Sequence, residues 1–104
     1  MKRVLVLACK PFDFIGNDGK PVQFARIWYI SDDIQDKNII GMVVGQMNIS
    51  LPLAKKIGFN LEGSLPAICD LELDVYFDYA GNAKVRLDDA LIIKALDMGQ
   101  LMVI

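Results

Sequence analysis

The chain has 104 residues, which is enough for one domain of ordinary size and too few for two. Hydrophobic residues make up 54% of it and charged residues 23%, a composition that favours a folded core and excludes a disordered chain. The net charge of -2 and the sequence pI near 4.9 give no overall attraction to phosphate or anionic lipid, so any nucleic-acid site has to be a local patch.

The chain lacks histidine, the side chain most often used as a general base and metal ligand near neutral pH. Its two cysteines, Cys9 and Cys69, form no CxxC pair and lie in apolar stretches, so we expect them to be small buried side chains. We therefore expect no catalytic residue, no metal and no cofactor. The sequence shows neither a signal peptide nor an apolar run of membrane-spanning length, which predicts a cytoplasmic protein without a membrane partner.

The first two predicted strands form a hairpin. Residues 3 to 15 and 22 to 31 are rich in β-branched and aromatic side chains, and the turn-forming sequence GNDGKP at 16–21 separates them. Alternate residues of a strand share a face. The odd-numbered apolar positions are therefore expected to form the core side of the hairpin: Leu5, Leu7 and Cys9 from the first strand and Ala25, Ile27 and Tyr29 from the second.

The even-numbered positions of this hairpin combine aromatic rings with cations, a mixture that a core does not usually contain. We call them the aromatic–basic face: Lys10, Phe12, Phe24, Arg26 and Trp28. Proteins hold single-stranded nucleic acid by stacking bases on aromatic rings and pairing phosphates with cations, so this face is the candidate nucleic-acid site. The alternative is that the rings only cover an edge of the fold, with the cations extending to the rim.

A third strand and a short helix are predicted next. A polar connection at 32–38 precedes residues 39 to 49, which are expected to form the strand. Ser50 is a suitable N-cap, Pro52 fits the first helical turn, Lys55 and Lys56 suit the helix C-terminus, and Gly58 is placed to end it. The helix is expected to span about two turns.

Residues 67 to 79 alternate strictly and are predicted to form the fourth strand. One face is apolar, with Leu71, Leu73, Val75 and Phe77, and the other is mostly acidic, with Asp70, Glu72, Asp74, Tyr76 and Asp78. We interpret the acidic row as a solvated face rather than a cation site, and expect it to repel phosphate. A three-residue hairpin loop is favoured over a two-residue loop, because it opposes Phe77 to Val85 and Val75 to Leu87 rather than Phe77 to Arg86.

The predicted order is therefore three strands, a short helix and two more strands. This is the element order of the OB-fold, a five-stranded and partly open Greek-key barrel, and an α+β sandwich is the rival. We expect one domain over residues 1–104, mainly β, with the helix between strands 3 and 4. Residues 88–104 are a possible C-terminal extension, in which Asp88 caps a helix or residues 91 to 93 prolong the last strand.

An aromatic strand end, the GNDGKP turn, an aromatic and basic strand, and the AGN turn at 80–82 together resemble a known family. Over residues 3 to 87 the chain is similar to the small single-stranded DNA-binding proteins encoded by phages and other mobile elements, which are OB-fold proteins. The resemblance implies non-catalytic, sequence-tolerant binding of single-stranded DNA, with RNA as an open alternative, by a homodimer or higher oligomer during DNA replication or transfer. The matching positions are Phe12, Phe24, Arg26 and Trp28, with Lys10 beside them.

The chain departs from that family in being acidic overall and in ending with the apolar residues LMVI at 101–104 rather than an acidic tail. This tail favours a second hypothesis, a small β-barrel module that binds protein through the tail and through Met42, Met47, Met98 and Met102. A soluble monomer is not expected to leave such residues in water, so they either pack back on the barrel or add to a neighbouring subunit. We favour the second alternative, a homodimer.

Overall fold

A computed structural model describes residues 2–31, 38, 40–97 and 99. The predictions made for residues 32–37, Ile39, Met98 and 100–104 lie outside this part of the chain. The described elements, in chain order, are β1 Lys2–Ile15, β2 Pro21–Ile30, β3 Val44–Ile49, α1 Leu51–Ile57, β4 Ala67–Phe77 and β5 Ala83–Ala95. The predicted mainly β fold, with five strands and one short helix between the third and fourth, is confirmed.

The strands form one antiparallel sheet in the order β3-β2-β1-β4-β5, so β1 is its central strand. The sheet is not closed, because no ladder joins β3 to β5 within the described residues. Helix α1 lies against β2 and β5 on the open side. Among the described residues, no helix has the length and apolar character needed to cross a membrane.

The central strand contains a β-bulge that reverses which of its residues face the core. Val6 pairs with Tyr29 and Ala8 with Trp28, which leaves Leu7 as the extra residue of β1. Before the bulge the even-numbered residues are buried, whereas after it the odd-numbered Cys9 packs against the core.

The sequence-based assignment of Leu5 and Leu7 to the core was therefore wrong, because strict alternation cannot anticipate an inserted residue. Val4 and Val6 are buried in their place. For β2 the prediction is confirmed, with Ala25 and Ile27 fully buried and Tyr29 packed against them.

The core lies between the sheet and α1. It contains Val4, Val6, Ala25, Ile27, Ile49, Leu51, Ala54, Phe59, Ala67, Cys69, Leu71 and Leu87. The predicted helix signals are confirmed: the Ser50 hydroxyl accepts a hydrogen bond from the backbone N–H of Leu53 at 3.2 Å, and Gly58 ends the helix in the left-handed region at φ 98°.

The third strand is shorter than predicted. It begins at Val44, after Gly41, whose φ of 105° is incompatible with an extended strand. The last strand is longer, because β5 continues to Ala95. The prolonged-strand alternative for residues 91 to 93 is thus confirmed, and the helix starting at Asp88 was wrong. Two register shifts make Asp88 and Ile93 the extra residues of β5.

The β4–β5 hairpin has the predicted facing but not the predicted register. Val75 opposes Val85 and Phe77 opposes Ala83, so the pairing is displaced by two residues. The loop keeps the predicted three residues but lies at 79–81 rather than 80–82, because the backbone N–H of Asp78 donates to the Asn82 carbonyl at 3.1 Å. The reason is Asp78, whose carboxylate accepts hydrogen bonds from the backbone N–H groups of Ala80 at 3.0 Å and Asn82 at 2.9 Å. Its side chain thus organises the turn that its own backbone closes with Asn82.

The outer half of this hairpin extends beyond the core and leaves one apolar face uncovered. We call it the apolar hairpin face: Leu73, Val75, Phe77 and Val85, of which Val75 is 58% and Phe77 70% exposed. On the opposite face Arg86 pairs with Asp74 at 2.9 Å and lies over the Tyr76 ring at 5.4 Å. One side of the hairpin is thus neutralised and the other is apolar and unpartnered within the described residues.

The difference in burial between two valines of the sheet can be tested with one kind of substitution. Val6→Ala should lower the free energy of unfolding by about 2 kcal/mol, because two fully buried methyl groups are lost and a cavity remains. Val44→Ala, the matched control at a valine of β3 that is 51% exposed and lies outside the apolar hairpin face, should cost less than about 0.5 kcal/mol. Urea unfolding measures both, and equal losses would contradict the burial described for the two valines.

Candidate nucleic-acid interface

The aromatic–basic face is brought together by the pairing of β1 with β2. Lys10 lies opposite Arg26, and Phe12 lies opposite Phe24. Because the bulge at Leu7 precedes Lys10, all these side chains project from the face opposite Ala25 and Ile27. The bulge thus removes Lys10 and Phe12 from the core side of the sheet.

The two phenylalanines form a stacked pair. Their ring centroids are 4.7 Å apart and the planes are inclined by 17°. Both side chains are half-buried, so the pair is held by packing and still reaches solvent. Such a pair is an ordered aromatic surface of the kind on which unpaired bases stack.

Two cations lie over this aromatic pair. The Lys10 Nζ atom is 5.2 Å from the Phe12 ring centroid, and the Arg26 Cζ atom is 5.5 Å from the same centroid and 6.0 Å from that of Phe24. These distances are within the range of cation–π attraction. The charges are therefore held beside the rings, where a phosphate next to a stacked base would lie.

Trp28 lies further along β2, on the same face, and is half-buried. Its Cα partners are Ala8 on β1 and Gln46 on β3. It lies two positions after Arg26 in the strand, which places the two residues about 7 Å apart along the chain. The structure thus places all five predicted residues on one face, and it brings four of them into direct contact, with Trp28 adjacent.

Sequence reasoning missed two side chains of this surface. Phe14 is exposed and lies on the same face, two residues beyond Phe12 toward the turn. Asn48 on β3 opposes Arg26, and its Oδ1 atom accepts a hydrogen bond from the Arg26 Nε atom at 3.0 Å. The parity of β1 could have identified Phe14, but Asn48 required the β2–β3 register.

Charges are distributed unevenly over the molecule. Within the described residues, Lys10 and Arg26 form no ion pair, whereas four cations on or next to β4 and β5 are paired with carboxylates. These ion pairs are Arg3 with Asp70 at 2.9 Å, Lys56 with Asp89 at 3.5 Å, Lys84 with Asp78 at 3.8 Å, and Arg86 with Asp74 at 2.9 Å and Asp88 at 3.3 Å. Positive charge is thus left uncompensated on the aromatic–basic face, although the chain is acidic overall.

The acidic row of β4 is largely occupied by these ion pairs. The hydrogen-bonded Arg3 guanidinium lowers the pKa of Asp70, so this carboxylate stays ionised to a lower pH than usual. Within the described residues no group of three metal-ligating side chains is assembled.

The two cysteines lie in environments that disfavour the reactive thiolate form. Burial, with a smaller contribution from the charge of Asp70, raises the pKa of the Cys69 thiol to about 11. Burial also raises the pKa of Cys9. A nucleophilic cysteine needs a lowered pKa, so the environment of both thiols favours the neutral form.

One cavity adjoins the aromatic–basic face. It has a volume of about 420 Å³ and lies where the end of β3 and the start of α1 approach β5. Its lining includes Phe24, Asn48, Ser50, Leu53, Arg86 and Leu87. A cavity of similar size, about 450 Å³, lies between residues 63–66 and 95–97 and includes no residue of this face.

Comparison with known proteins found no matching family model, no matching curated protein and no matching solved structure.

Proposed function

We propose that this protein binds single-stranded DNA without catalysis, by stacking bases on aromatic rings and pairing phosphates with cations, with RNA as the alternative nucleic acid. The observation that carries the proposal is the stacked pair of Phe12 and Phe24 with Lys10 and Arg26 beside it. Following the resemblance described above, we place this activity in the replication or transfer of phage or mobile-element DNA, in the cytoplasm.

A single strand suits this surface better than a duplex. Stacking on a side chain requires a base whose faces are free, and in a duplex the neighbouring base pairs cover them. The uncompensated charges of Lys10 and Arg26 support phosphate binding directly beside the rings. The β4 face has one exposed ring beneath a cation, Tyr76 under Arg86, but that cation is already paired with carboxylates. The proposed path of the strand therefore follows β1, β2 and β3.

A protein-binding module remains the second candidate, and the apolar hairpin face is the observation that favours it. The surface predicted for this role from the sequence is only partly described: Met42 is exposed and Met47 packs against the core, whereas Met98, Met102 and the tail lie outside the described residues. We propose that a second copy of this chain covers the hairpin face, which makes the protein a homodimer.

The first test is the choice between single-stranded and duplex DNA. Trp28 is the only tryptophan in the chain and lies on the aromatic–basic face, so its fluorescence reports on that surface. A mixed-sequence single strand should quench it at concentrations where the matching duplex has little effect. Equal affinity for the two forms, measured by the same titration, would contradict the proposal.

The second test separates stacking from charge. Phe24→Ala should weaken single-strand binding by roughly 1 to 3 kcal/mol at every salt concentration, whereas Phe24→Tyr, which keeps the ring, should bind normally. Arg26→Ala should weaken binding mainly at low salt, because fewer counterions are then released.

Titrations at several salt concentrations give the slope that distinguishes these variants. Lys94→Ala is the matched control for charge, because Lys94 is an exposed cation on β5 outside the aromatic–basic face and forms no ion pair within the described residues. It should leave the salt slope unchanged. A salt-independent Arg26→Ala loss would instead assign Arg26 a structural role.

The third test concerns the homodimer. Val75→Glu adds a charge to the apolar hairpin face and should convert a dimer to a monomer, because a carboxylate buried without a partner is strongly disfavoured. Leu61→Glu, at an exposed apolar residue in the loop after α1, is the control and should leave the dimer intact. Sedimentation measures the mass, and a monomeric wild-type protein at all concentrations would reject the dimer.

A further inference from the structure

Asn48 lies at the boundary between the aromatic–basic face and the neighbouring cavity. Its side chain bonds Arg26 on one side and forms part of the cavity lining on the other, together with Phe24. A base stacked at Phe24 would therefore have its edge next to both Asn48 and Arg26. No other described polar side chain contacts the Arg26 guanidinium by a hydrogen bond.

The hydrogen bond between these two residues determines what they can offer a ligand. Arginine has only donors, so the amide oxygen of Asn48 must be the atom that faces Arg26. The Asn48 amide nitrogen is then left to donate outward. The two terminal nitrogens of Arg26 form no hydrogen bond within the described residues, because Asn48 accepts from Nε alone. The pair thus presents several N–H donors to the bound strand, while the Asn48 amide oxygen is directed toward Arg26.

The position of the guanidinium is also restrained. It is fixed by Asn48 at 3.0 Å and lies within 5.5 Å of the Phe12 centroid and 6.0 Å of the Phe24 centroid. An arginine held on two sides loses little side-chain freedom when it forms further hydrogen bonds, which favours bidentate contact with a planar group.

From this geometry we propose that the Arg26–Asn48 pair reads one base of the bound strand and prefers guanine. Guanine presents two adjacent acceptors, O6 and N7, which match two adjacent donors. Adenine places an N–H₂ donor beside N7, so it would set a donor against a donor, and thymine offers only O4 on that edge. The cavity of about 420 Å³ beside Asn48 supplies room for a base next to the pair.

This inference rests on the proposed single-strand binding and adds a base preference to a surface otherwise expected to tolerate any sequence. The probes are short thymidine oligomers that carry one central guanosine, adenosine, cytidine or 7-deazaguanosine, and binding is followed by quenching of Trp28. Because a short strand can slide, a single guanosine can reach the pair. The guanosine oligomer should bind about tenfold more tightly than all-thymidine or the adenosine oligomer.

The 7-deazaguanosine oligomer is the sharpest probe, because it lacks only the N7 acceptor and keeps the Watson–Crick edge. It should lose the guanine preference. Cytidine also carries two adjacent acceptors, N3 and O2, so cytidine binding as tight as guanosine, with no effect of 7-deaza substitution, would overturn the proposed contact.

Two variants connect the preference to Asn48. Asn48→Asp keeps the shape but pairs a carboxylate with Arg26 and presents an acceptor, so it should abolish the preference and reduce the salt slope. Gln46→Ala, on the same face of β3 and opposite Trp28, is the matched control and should retain the preference. Unchanged guanine preference in Asn48→Asp would reject the role of Asn48.

The two proposals fail differently. If no oligomer quenches Trp28 or binds by any measure, single-strand binding and base reading are both overturned. If all the oligomers bind with equal affinity, single-strand binding stands and only the reading of guanine is overturned.

Discussion

The bulge at Leu7 in the central strand determines how the rest of this molecule is arranged. β1 forms ladders with both β2 and β4, so it must supply core residues along its first half. Without an inserted residue, the alternation that buries Val4 and Val6 would also turn Lys10 and Phe12 toward the core. The single extra residue reverses which side of the sheet the following residues of β1 face. One strand therefore provides the core at one end and a polar, aromatic surface at the other.

A chain with excess negative charge can still present a positive surface when its carboxylates are paired elsewhere. Most ion pairs of β4 and β5 lie within one strand or join neighbouring strands, as with Arg86 and Asp74, and one joins Lys56 of α1 to Asp89. Exposed pairs of this kind contribute little to stability, generally below about 1 kcal/mol. Their effect on the electrostatic surface is larger, because they remove acidic groups that would otherwise offset Lys10 and Arg26. Net charge is thus a poor guide to what this protein binds.

The sequence predicted the elements well because their signals are local. Ser50, Pro52 and Gly58 define α1 through contacts within a few residues, and the structure confirms each of them. The membership of the aromatic–basic face also followed from strand periodicity. Prediction failed where one residue changed the register: the extra Leu7 moved the core positions of β1, and the hydrogen bonds of Asp78 placed the last turn one residue earlier.

The contribution of Asn48 could not be predicted for a different reason. Its role depends on lying opposite Arg26, and strand pairing between β2 and β3 crosses a connection of unpredictable geometry. The exposure of the apolar hairpin face could not be predicted either, since Leu73 and Val75 have the same alternation as the buried Leu71. Periodicity identifies which residues share a face, but not whether anything covers that face.

The unclosed sheet affects how copies of this protein behave when they are crowded together. β3 and β5 have unpaired outer edges within the described residues, and exposed edges invite pairing between molecules when many copies are crowded together. Here β3 is short, with six residues, and β5 is interrupted by the extra residues Asp88 and Ile93 and carries Lys94 close to its end. Short, irregular and charged edges resist continuous strand-to-strand stacking. Neighbouring copies of the chain are therefore expected to lie side by side without joining into one continuous sheet.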